Sequence, residues 1–599
     1  MQGIQTGDAD MYTYHVIKRD GKAAEFDLQK IYAAIAKAFD ACKKPYTKDV
    51  IDLIALRVTS DFADNVAGGA IGVEDIQDSV EKVLSAAGYA DVAKAYILYR
   101  KQRENIRNIQ NTTLDYKKIV DQYLETKEEE NGSVGYSIGG LILSNSGAVT
   151  ANYWLSEVYD EEIATAHREG DIYIHDLGML TGDRTMWSLD KLIQEGLGGV
   201  EGLVSSGPAK HLSTLCVQMA DFLGVMQNEW AGMQSFDHFD TYLAPFVKSD
   251  QLSYKEVKQA LQAFVYEVNA PVRRGLQVPH SHVILDRRPP EDMRDQRAIV
   301  GGVQTDILYG ECQEEMDLID RCLYEVLLEG DANGMRFPYP IPAVHMDEEE
   351  HESDALLYEM AAQDGTPCFL FADRKSGIGS VGLVTIDIPR IAYLSQTEEE
   401  MMERLDRVMD LAARCLKTKR TVLEKLLLSG LYPYTKKYLG TFVSHSSTIG
   451  IMGLAETCFN AKWVRESSSQ EEGKAFVIRV LSHMRQRLEV YQAMYQDHYD
   501  LTPEEDPSIC RCMACKDLEK YPEIQTSGGT YTPGSHFSDR KELDFFTVLE
   551  DEAVFQKMYS NVPVYEVDTE GKLSSDMVKC LVYKIAGNYD LPYCRVCGK

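Results

Sequence analysis

Hydrophobic and polar positions near the N-terminus predict a short hairpin. Tyr14–Arg19 alternates in the manner of a strand, and Asp20-Gly21 is a turn signal. Ala23–Phe26 is compatible with the returning strand. The chain therefore opens with two short paired strands.

Helices are predicted directly after this hairpin. Asp27 suits an N-cap, and a helix is expected from Leu28 to about Ala41, because its apolar positions recur every four residues. Further helices are expected to begin near Val73 and Asp91, the first with acidic residues at its N-terminal end. The first helix takes its periodicity from Ile31, Ile35 and Phe39.

Residues 105–135 are polar and predict a linker, and the pattern beyond them mixes helices with short buried strands. Leu383–Ile388 predicts one strand and Gly301–Thr305 another. Within 207–247 we expect a buried helix followed by a polar, aromatic-rich loop, with Cys216 as a small buried side chain. The apolar positions of that helix are Leu212, Leu215, Met219, Phe222, Leu223 and Met226.

Net charge, hydropathy and cysteine content limit the cellular location and the binding partners that the chain is expected to have. The net charge of −32 disfavours nonspecific binding to nucleic acid or to anionic membranes, although a local basic cluster can still hold a phosphate. Residues 1–10 lack the pattern of a signal peptide, and no apolar run is long enough to span a membrane. We therefore expect a cytoplasmic protein whose 13 cysteines serve as thiols or metal ligands rather than disulfides.

Two groups of residues carry candidate chemistry. Lys18 and Arg19 end the first strand and face Lys30 on the next helix, so they are candidates for a phosphate cradle. Charge alone favours the alternative, a solvated hairpin. Cysteines at positions 510, 512 and 515, with Cys594 and Cys597, could form a zinc or iron–sulfur site if the fold brings them together. The alternative there is a reduced cluster without a ligand.

One glycine motif is rejected. Gly377-x-Gly-x-x-Gly382 matches a dinucleotide fingerprint in form, but a predicted strand follows it where the motif needs a helix.

Longer blocks of sequence resemble a known family. Glu74–Gln77 and Asp91–Arg100 are similar to the ATP-cone domain of ribonucleotide reductases, which implies ATP or dATP binding near Lys18, Arg19 and Lys30. The remainder resembles the anaerobic, glycyl-radical class of ribonucleoside-triphosphate reductases. The blocks that carry this resemblance are Asn152–Leu155, Ala166–Leu177, 207–247, Leu431–Gly440 and Ser447–Glu456.

The resemblance implies a ten-stranded α/β barrel with a central finger loop, preceded by a small, mainly helical cone. It predicts an ATP-cone over 12–104, the linker over 105–135, the barrel over 136–593 and a truncated zinc and glycyl-radical remnant over 594–599. Family chemistry uses a glycyl radical, a finger-loop cysteine, a second strand cysteine and a four-cysteine zinc site. It also implies a radical-S-adenosylmethionine activase as partner.

This sequence departs from the family pattern at each of these points. The family motif Tyr-Cys-x-Gly-Trp is replaced by a run without cysteine that ends at Trp187. Cys368 leads almost directly into Gly377, so roughly two dozen finger-loop residues are expected to be missing. Cys368 and Gly598 remain weak catalytic candidates.

Three hypotheses follow. The chain is a ribonucleoside-triphosphate reductase or a divergent member that keeps nucleotide binding. It is alternatively a noncatalytic nucleotide-binding regulator, pairing as a homodimer or as a heterodimer with an active reductase. The third hypothesis is that the chain is a decayed or truncated gene product. Turnover by this chain alone is not expected, because the radical cannot be relayed without the missing residues.

Overall fold

The computed structural model divides the chain into two compact units, 1–125 and 126–599. The described residues are 15–17, 23–42, 44–62, 70–97, 119–121, 123–124, 137–271, 277–347, 349–371, 379–465, 470–535, 545–559, 565–569, 571, 573–589 and 591–598. Lys18, Arg19 and most of the predicted linker lie outside them. No helix in the described part is long and apolar enough to cross a membrane.

The N-terminal unit confirms the predicted hairpin, in which β1 (His15–Ile17) pairs antiparallel with β2 (Ala23–Glu25). A third strand, β3 (Ala70–Gly72), pairs parallel with β1 and was not predicted, because three residues are too few to show alternation. The helices are α1 (Leu28–Ala41), α2 (Lys48–Phe62), α3 (Val73–Ala86) and α4 over residues 90–97.

Helix α1 begins and ends where the sequence predicts. The Asp27 side chain caps it by accepting a hydrogen bond from the Gln29 backbone at 2.9 Å. Ile31, Ile35 and Phe39 are buried in a core shared with α2 and α3. Lys30 lies on the exposed side of α1.

The second unit is an α/β structure. Its helices are α5 (Ile138–Tyr153), continued by a π turn at Trp154–Val158, α6 (Glu161–Glu169), α7 (Asp190–Glu195), α8 (Leu212–Met226), α9 (Phe239–Asp250), α10 (Tyr254–Asn269), α11 (Gln313–Glu329), α12 (Asp354–Asp364), α13 (Ile388–Tyr393), α14 (Glu398–Ser429), α15 (Pro433–Tyr438), α16 (Leu454–Asn460), α17 (Lys462–Arg465), α18 (Gln470–Tyr495), α19 (Pro507–Lys520), α20 (Phe545–Gln556) and α21 (Ser575–Asn588). A short 3-10 turn lies at Tyr309–Glu311.

Its strands are β4 (Ile172–Ile174), β5 (Arg184–Ser188), β6 (Gln234–Asp237), β7 (Ser281–Leu285), β8 (Arg297–Val300), β9 (Val303–Leu308), β10 (Ile341–His345), β11 (Cys368–Leu370), β12 (Gly379–Ile386), β13 (Ser446–Ile451), β14 (Tyr499–Pro503), β15 (Tyr565–Thr569) and β16 (Tyr593–Gly598). Ten of them form one sheet in the order β14-β13-β12-β5-β6-β7-β10-β11-β16-β15, with β4 paired to β12, while β8 and β9 form a separate hairpin.

The sheet consists of two parallel halves that run in opposite directions. One half is β5, β6, β7, β10 and β11. The other contains β12–β14 at one side and β15–β16 at the other, joined to the first half by antiparallel pairs. The edge strands β14 and β15 therefore point the same way, and closing the barrel would make them neighbours. This order confirms the predicted ten-stranded α/β fold.

Two local predictions were wrong. The segment after α8 contains β6 and α9, not a loop, because His238 turns the chain with φ 51° and Pro245 is accommodated inside the helix. Gly301 and Gly302 form the turn of the β8–β9 hairpin rather than the start of a strand. Their positive φ values, 64° and 77°, favour glycine there.

Of the segment predicted to be a truncated remnant, 594–599, residues 594–598 lie at the end of the last strand of the sheet. Residues 594–598 continue β16, which pairs with both β11 and β15. They belong to the sheet because Cys594 and Val596 are buried in its core.

Candidate functional site

The sheet has a helix-facing side and an inner side. Trp187, Val283 and Phe369 pack in the large core with the surrounding helices. Their strand neighbours Met186, Ile284, Ala343, Cys368, Leu370 and Tyr593 form a separate small cluster. Because successive side chains of a strand point to opposite faces, this second cluster marks the inner face of the sheet.

Polar side chains share that inner face. Arg184 lies two residues before Met186, and His282 two before Ile284, so each pair points the same way. Tyr499 and Leu501 pack among the outer helices, so Asp500, which lies between them on β14, points to the inner face. By the same alternation the inner face also carries Ser235, Asp237, His345, Thr385, Thr448 and Arg595. An interior this polar is suited to a ligand rather than to packing alone.

Arg184 and Asp500 are two of the charged side chains of this interior. Arg184 Nε lies 3.4 Å from Asp183 Oδ2. Burial raises the pKa of Asp500, while a hydrogen bond with Ser446 and the charges of Arg184 and His498 oppose that rise. The two charges lie on different halves of the barrel, so a ligand between them would contact both.

A ladder of hydroxyl groups lies beside this pair. Thr448 Oγ1 donates to Ser380 Oγ at 2.8 Å and lies 3.3 Å from Ser446 Oγ. Ser380 Oγ in turn donates to the Gly382 carbonyl at 2.9 Å. These hydroxyl groups satisfy one another across β12 and β13, which fixes their orientation at the start of β12.

Near the opposite end of β12, His175 and Glu504 form a buried pair. His175 Nε2 lies 2.9 Å from Glu504 Oε2, and Thr385 Oγ1 donates to the same oxygen at 2.6 Å. Burial opposes ionisation, yet the hydrogen bonds from His175, Thr385 and the Asp506 backbone hold the pKa of Glu504 below its usual value. The carboxylate is therefore charged and held in one orientation.

Sequence reasoning missed Arg184, Asp500 and Glu504 as site residues. Alternation of side chains along β5 and β14 would place Arg184 and Asp500 on the inner face. That the two residues lie near each other depends on strand pairing between segments far apart in the sequence.

Cys368 is the one predicted catalytic candidate that the structure places in the interior. It is buried on β11 beside Leu370 and Tyr593. Among the inner-face side chains that the structure describes, it is the only thiol. Gly598 lies in a ladder opposite Thr569, not in a loop at the centre of the barrel, so its prediction as a radical site is not supported.

The predicted metal ligands do not come together. Cys510 is buried on α19, Cys512 and Cys515 are exposed on it, and Cys594 is buried in the sheet. Burial raises the pKa of the Cys510 thiol, which disfavours the thiolate a metal needs. No group of three or more His, Cys, Asp or Glu side chains suited to a metal exists among the described residues. Cys597 has no described side chain.

His445 borders the site and provides a test of its packing. It is fully buried, lies 2.9 Å from Thr185 Oγ1, and stacks near Trp230. Burial and the charge of Arg420 lower its pKa from 6.5 to about 4.

This pKa predicts a loss of stability in acid. Between pH 6.5 and about 4 the unfolded chain takes up a proton at this position and the folded chain does not. The free energy of unfolding therefore falls with pH across that window, by about 3 kcal/mol in total. Urea unfolding of His445→Gln at several pH values should show a shallower slope. An identical slope in both proteins would contradict this assignment. His167, whose pKa is also lowered to about 4, supplies part of the slope that remains.

Comparison with known proteins identifies the two units. Residues 14–105 match the ATP cone domain, and residues 130–598 match the anaerobic ribonucleoside-triphosphate reductase model. The anaerobic ribonucleoside-triphosphate reductase of Haemophilus influenzae is 23% identical over 92% of this chain and 85% of its own. Over the cone, a ribonucleoside-diphosphate reductase subunit alpha of Chlamydia pneumoniae is 45% identical, covering 15% of this chain and 9% of its own.

Solved structures show the same fold. An anaerobic ribonucleotide reductase superposes with a TM-score of 0.68 at 17% identity, over 82% of this chain and 88% of its own. The Thermotoga maritima enzyme with dATP bound in the specificity site gives 0.67 at 18% identity, over 81% and 87%. The family match, which covers most of the chain, and the ten-stranded sheet agree. The chain belongs to the anaerobic ribonucleoside-triphosphate reductase family and carries an N-terminal ATP-cone.

Proposed function

We propose that this chain is a nucleotide-binding member of the reductase family that does not itself carry the radical reduction. Its cone binds ATP or dATP through Lys18, Arg19 and Lys30. The match of residues 14–105 to the ATP cone model supports this part. The Thermotoga maritima relative binds dATP in its specificity site, which supports nucleotide binding by the family but not by the cone itself. The polar inner face of the barrel is the second candidate nucleotide site, and a relative holds dATP and CTP.

The connection between β11 and β12 carries the proposal that the radical relay is incomplete. In the sheet order these strands lie five positions apart, which places them on opposite sides of a ten-stranded barrel that is roughly 15 Å across at the usual strand spacing. Only residues 371–378 join them. Fully extended, such a segment reaches about 30 Å, which crosses the barrel mouth but allows only a shallow excursion into the interior. The roughly two dozen residues of the family's finger loop that are missing here support a relay that is incomplete.

The side chain at the second cysteine position supports the same proposal. The family motif places its cysteine three residues before a tryptophan, and the residue three before Trp187 is Arg184. A guanidinium neither forms a thiyl radical nor supplies reducing equivalents as a thiol does. The glycyl radical and its thiol partners therefore do not fit the described residues.

An active reductase is the alternative, and it would need a glycyl-radical segment and a thiol in addition to the residues described above. We propose instead that the chain pairs with a second copy or with an active reductase and senses nucleotide levels there. Regulation by the cone alone requires no radical-S-adenosylmethionine activase.

A product assay tests the proposal. The chain is incubated anaerobically with each ribonucleoside triphosphate, formate, a dithiol and an activase, and deoxynucleotides are separated by chromatography. We expect none above the level of a Cys368→Ser control. The Haemophilus influenzae relative serves as the positive control. Deoxynucleotide formation that Cys368→Ser abolishes would show that the chain is a reductase.

A further inference from the structure

Two exposed cysteines lie about one helical turn apart on α19. Cys512 and Cys515 are both exposed, whereas Cys510, Met513 and Ala514 on the same helix are buried. Positions i and i+3 of a helix lie on one face, so the two thiols are surface neighbours. The proposed function uses neither of them.

The helix that carries this pair is held firmly. Asp506 caps its N-terminus by accepting a hydrogen bond from the Ser508 backbone at 2.8 Å. On the buried side Asp517 accepts hydrogen bonds from Arg390 Nε and Tyr531 Oη, each at 2.5 Å. Cys510 packs with Met452 and Tyr531 in the same region. The exposed face of α19 therefore keeps its helical geometry, and so does the spacing of the two thiols.

That spacing disfavours a disulfide. Side chains at i and i+3 have Cβ atoms about 5–6 Å apart. A disulfide needs a Cβ separation of about 3.5–4.5 Å. Joining Cys512 to Cys515 would require α19 to unwind against its cap and its buried contacts.

The same spacing suits two thiolates on one cation. A tetrahedral ion with metal–sulfur bonds of about 2.3 Å sets its two sulfur atoms roughly 3.8 Å apart, a distance that rotation about χ1 provides from Cβ atoms at helical spacing. Two thiolates also balance the charge of a divalent ion. Soft divalent cations prefer thiolate ligands over carboxylates and water.

We propose that Cys512 and Cys515 form a two-thiolate site for a soft divalent cation of the Zn²⁺ or Cd²⁺ type. Since the described part of the chain places no group of three such ligands together, the remaining coordination positions are filled by water. The site differs from the five-cysteine site expected from the sequence, because Cys510 and Cys594 are buried and take no part.

Cadmium provides the test, because thiolate–cadmium bonds absorb in the ultraviolet. The full chain, kept reduced with a phosphine, is titrated with Cd²⁺ alone at neutral pH. The absorbance step of the parent should be lost in both Cys512→Ser and Cys515→Ser, and binding should weaken by about 100-fold, because losing one thiolate removes the advantage of two linked ligands. Affinity should also fall as pH is lowered, because each thiol must release its proton.

Cys580→Ser is the matched control, since Cys580 is likewise exposed on a helix, α21, but is not one of the pair. It should titrate as the parent does. Thermal unfolding checks that each variant is folded. A Cys512→Ser titration indistinguishable from that of the parent overturns the proposal, and so does a Cys512–Cys515 disulfide recovered quantitatively by peptide mapping of the untreated protein.

Discussion

Replacing Lys18 and Arg19 together by alanine is expected to weaken ATP binding by at least about 100-fold, because each cation supplies charge-assisted hydrogen bonds to phosphate. The two residues directly follow β1, and Lys30 is exposed on α1 behind the Asp27 cap. In the proposed cradle, the residues that follow β1 and the first turn of α1 would contact the same anion. Isothermal calorimetry with ATP and with dATP measures the effect.

The cone provides its own control for that experiment. Lys48 is exposed at the start of α2 and lies outside the predicted cradle. Lys48→Ala should bind ATP as the parent does, whereas Lys30→Ala alone should lose about tenfold in affinity. Equal affinities in the parent and the double variant would remove the nucleotide-binding assignment of the cone, although its fold would stand.

The second large effect is expected at Arg390, which connects three parts of the barrel unit. It is fully buried on α13, just after β12. Its guanidinium donates to Asp517, to Asp171 Oδ1 at 3.0 Å and to the Glu169 carbonyl at 2.8 Å. Burial and the charge of Asp517 raise the pKa of the neighbouring Asp387. The positive charge of Arg390 therefore offsets the cost of burying the carboxyl groups of Asp387 and Asp517.

Arg390→Met should lower the free energy of unfolding of the barrel unit by about 3–5 kcal/mol, because it leaves the buried Asp517 and Asp387 without a cation. Denaturant unfolding measures this loss.

Arg404→Met is the matched control for this prediction. Arg404 is partly exposed and pairs with Glu400 one turn earlier on α14. Losing such a surface pair should change the free energy of unfolding by no more than about 0.5 kcal/mol. Similar losses in both variants would show that the buried network contributes little.

Local signals in the sequence predicted the cone well. Asp27 and the spacing of Ile31, Ile35 and Phe39 fixed the bounds of α1, because a cap and a hydrophobic face act within one segment. The same reasoning missed β3, since its pairing with β1 joins residues more than fifty positions apart. It also misread α9, where a positive φ at His238 and an internal proline hide the helix.

The candidate site was less predictable, because it is assembled across the sheet. Cys368 was named from a motif, and its burial on the inner face follows from alternation along β11. Arg184 on β5 and Asp500 on β14 are brought to the same side of the sheet by the pairing of four strands, β5, β12, β13 and β14. The five-cysteine metal site expected from the sequence is not assembled among the described residues. Spacing along the chain gave no information on whether Cys594 would lie near Cys510.

Electron paramagnetic resonance tests the central claim most directly. The reduced chain is incubated anaerobically with a radical-S-adenosylmethionine activase, dithionite as the one-electron donor, S-adenosylmethionine and ATP, then frozen. An incomplete relay predicts no glycyl radical signal in this chain, while the Haemophilus influenzae relative gives one under the same conditions. A glycyl signal from this chain that disappears in Gly598→Ala would contradict the account.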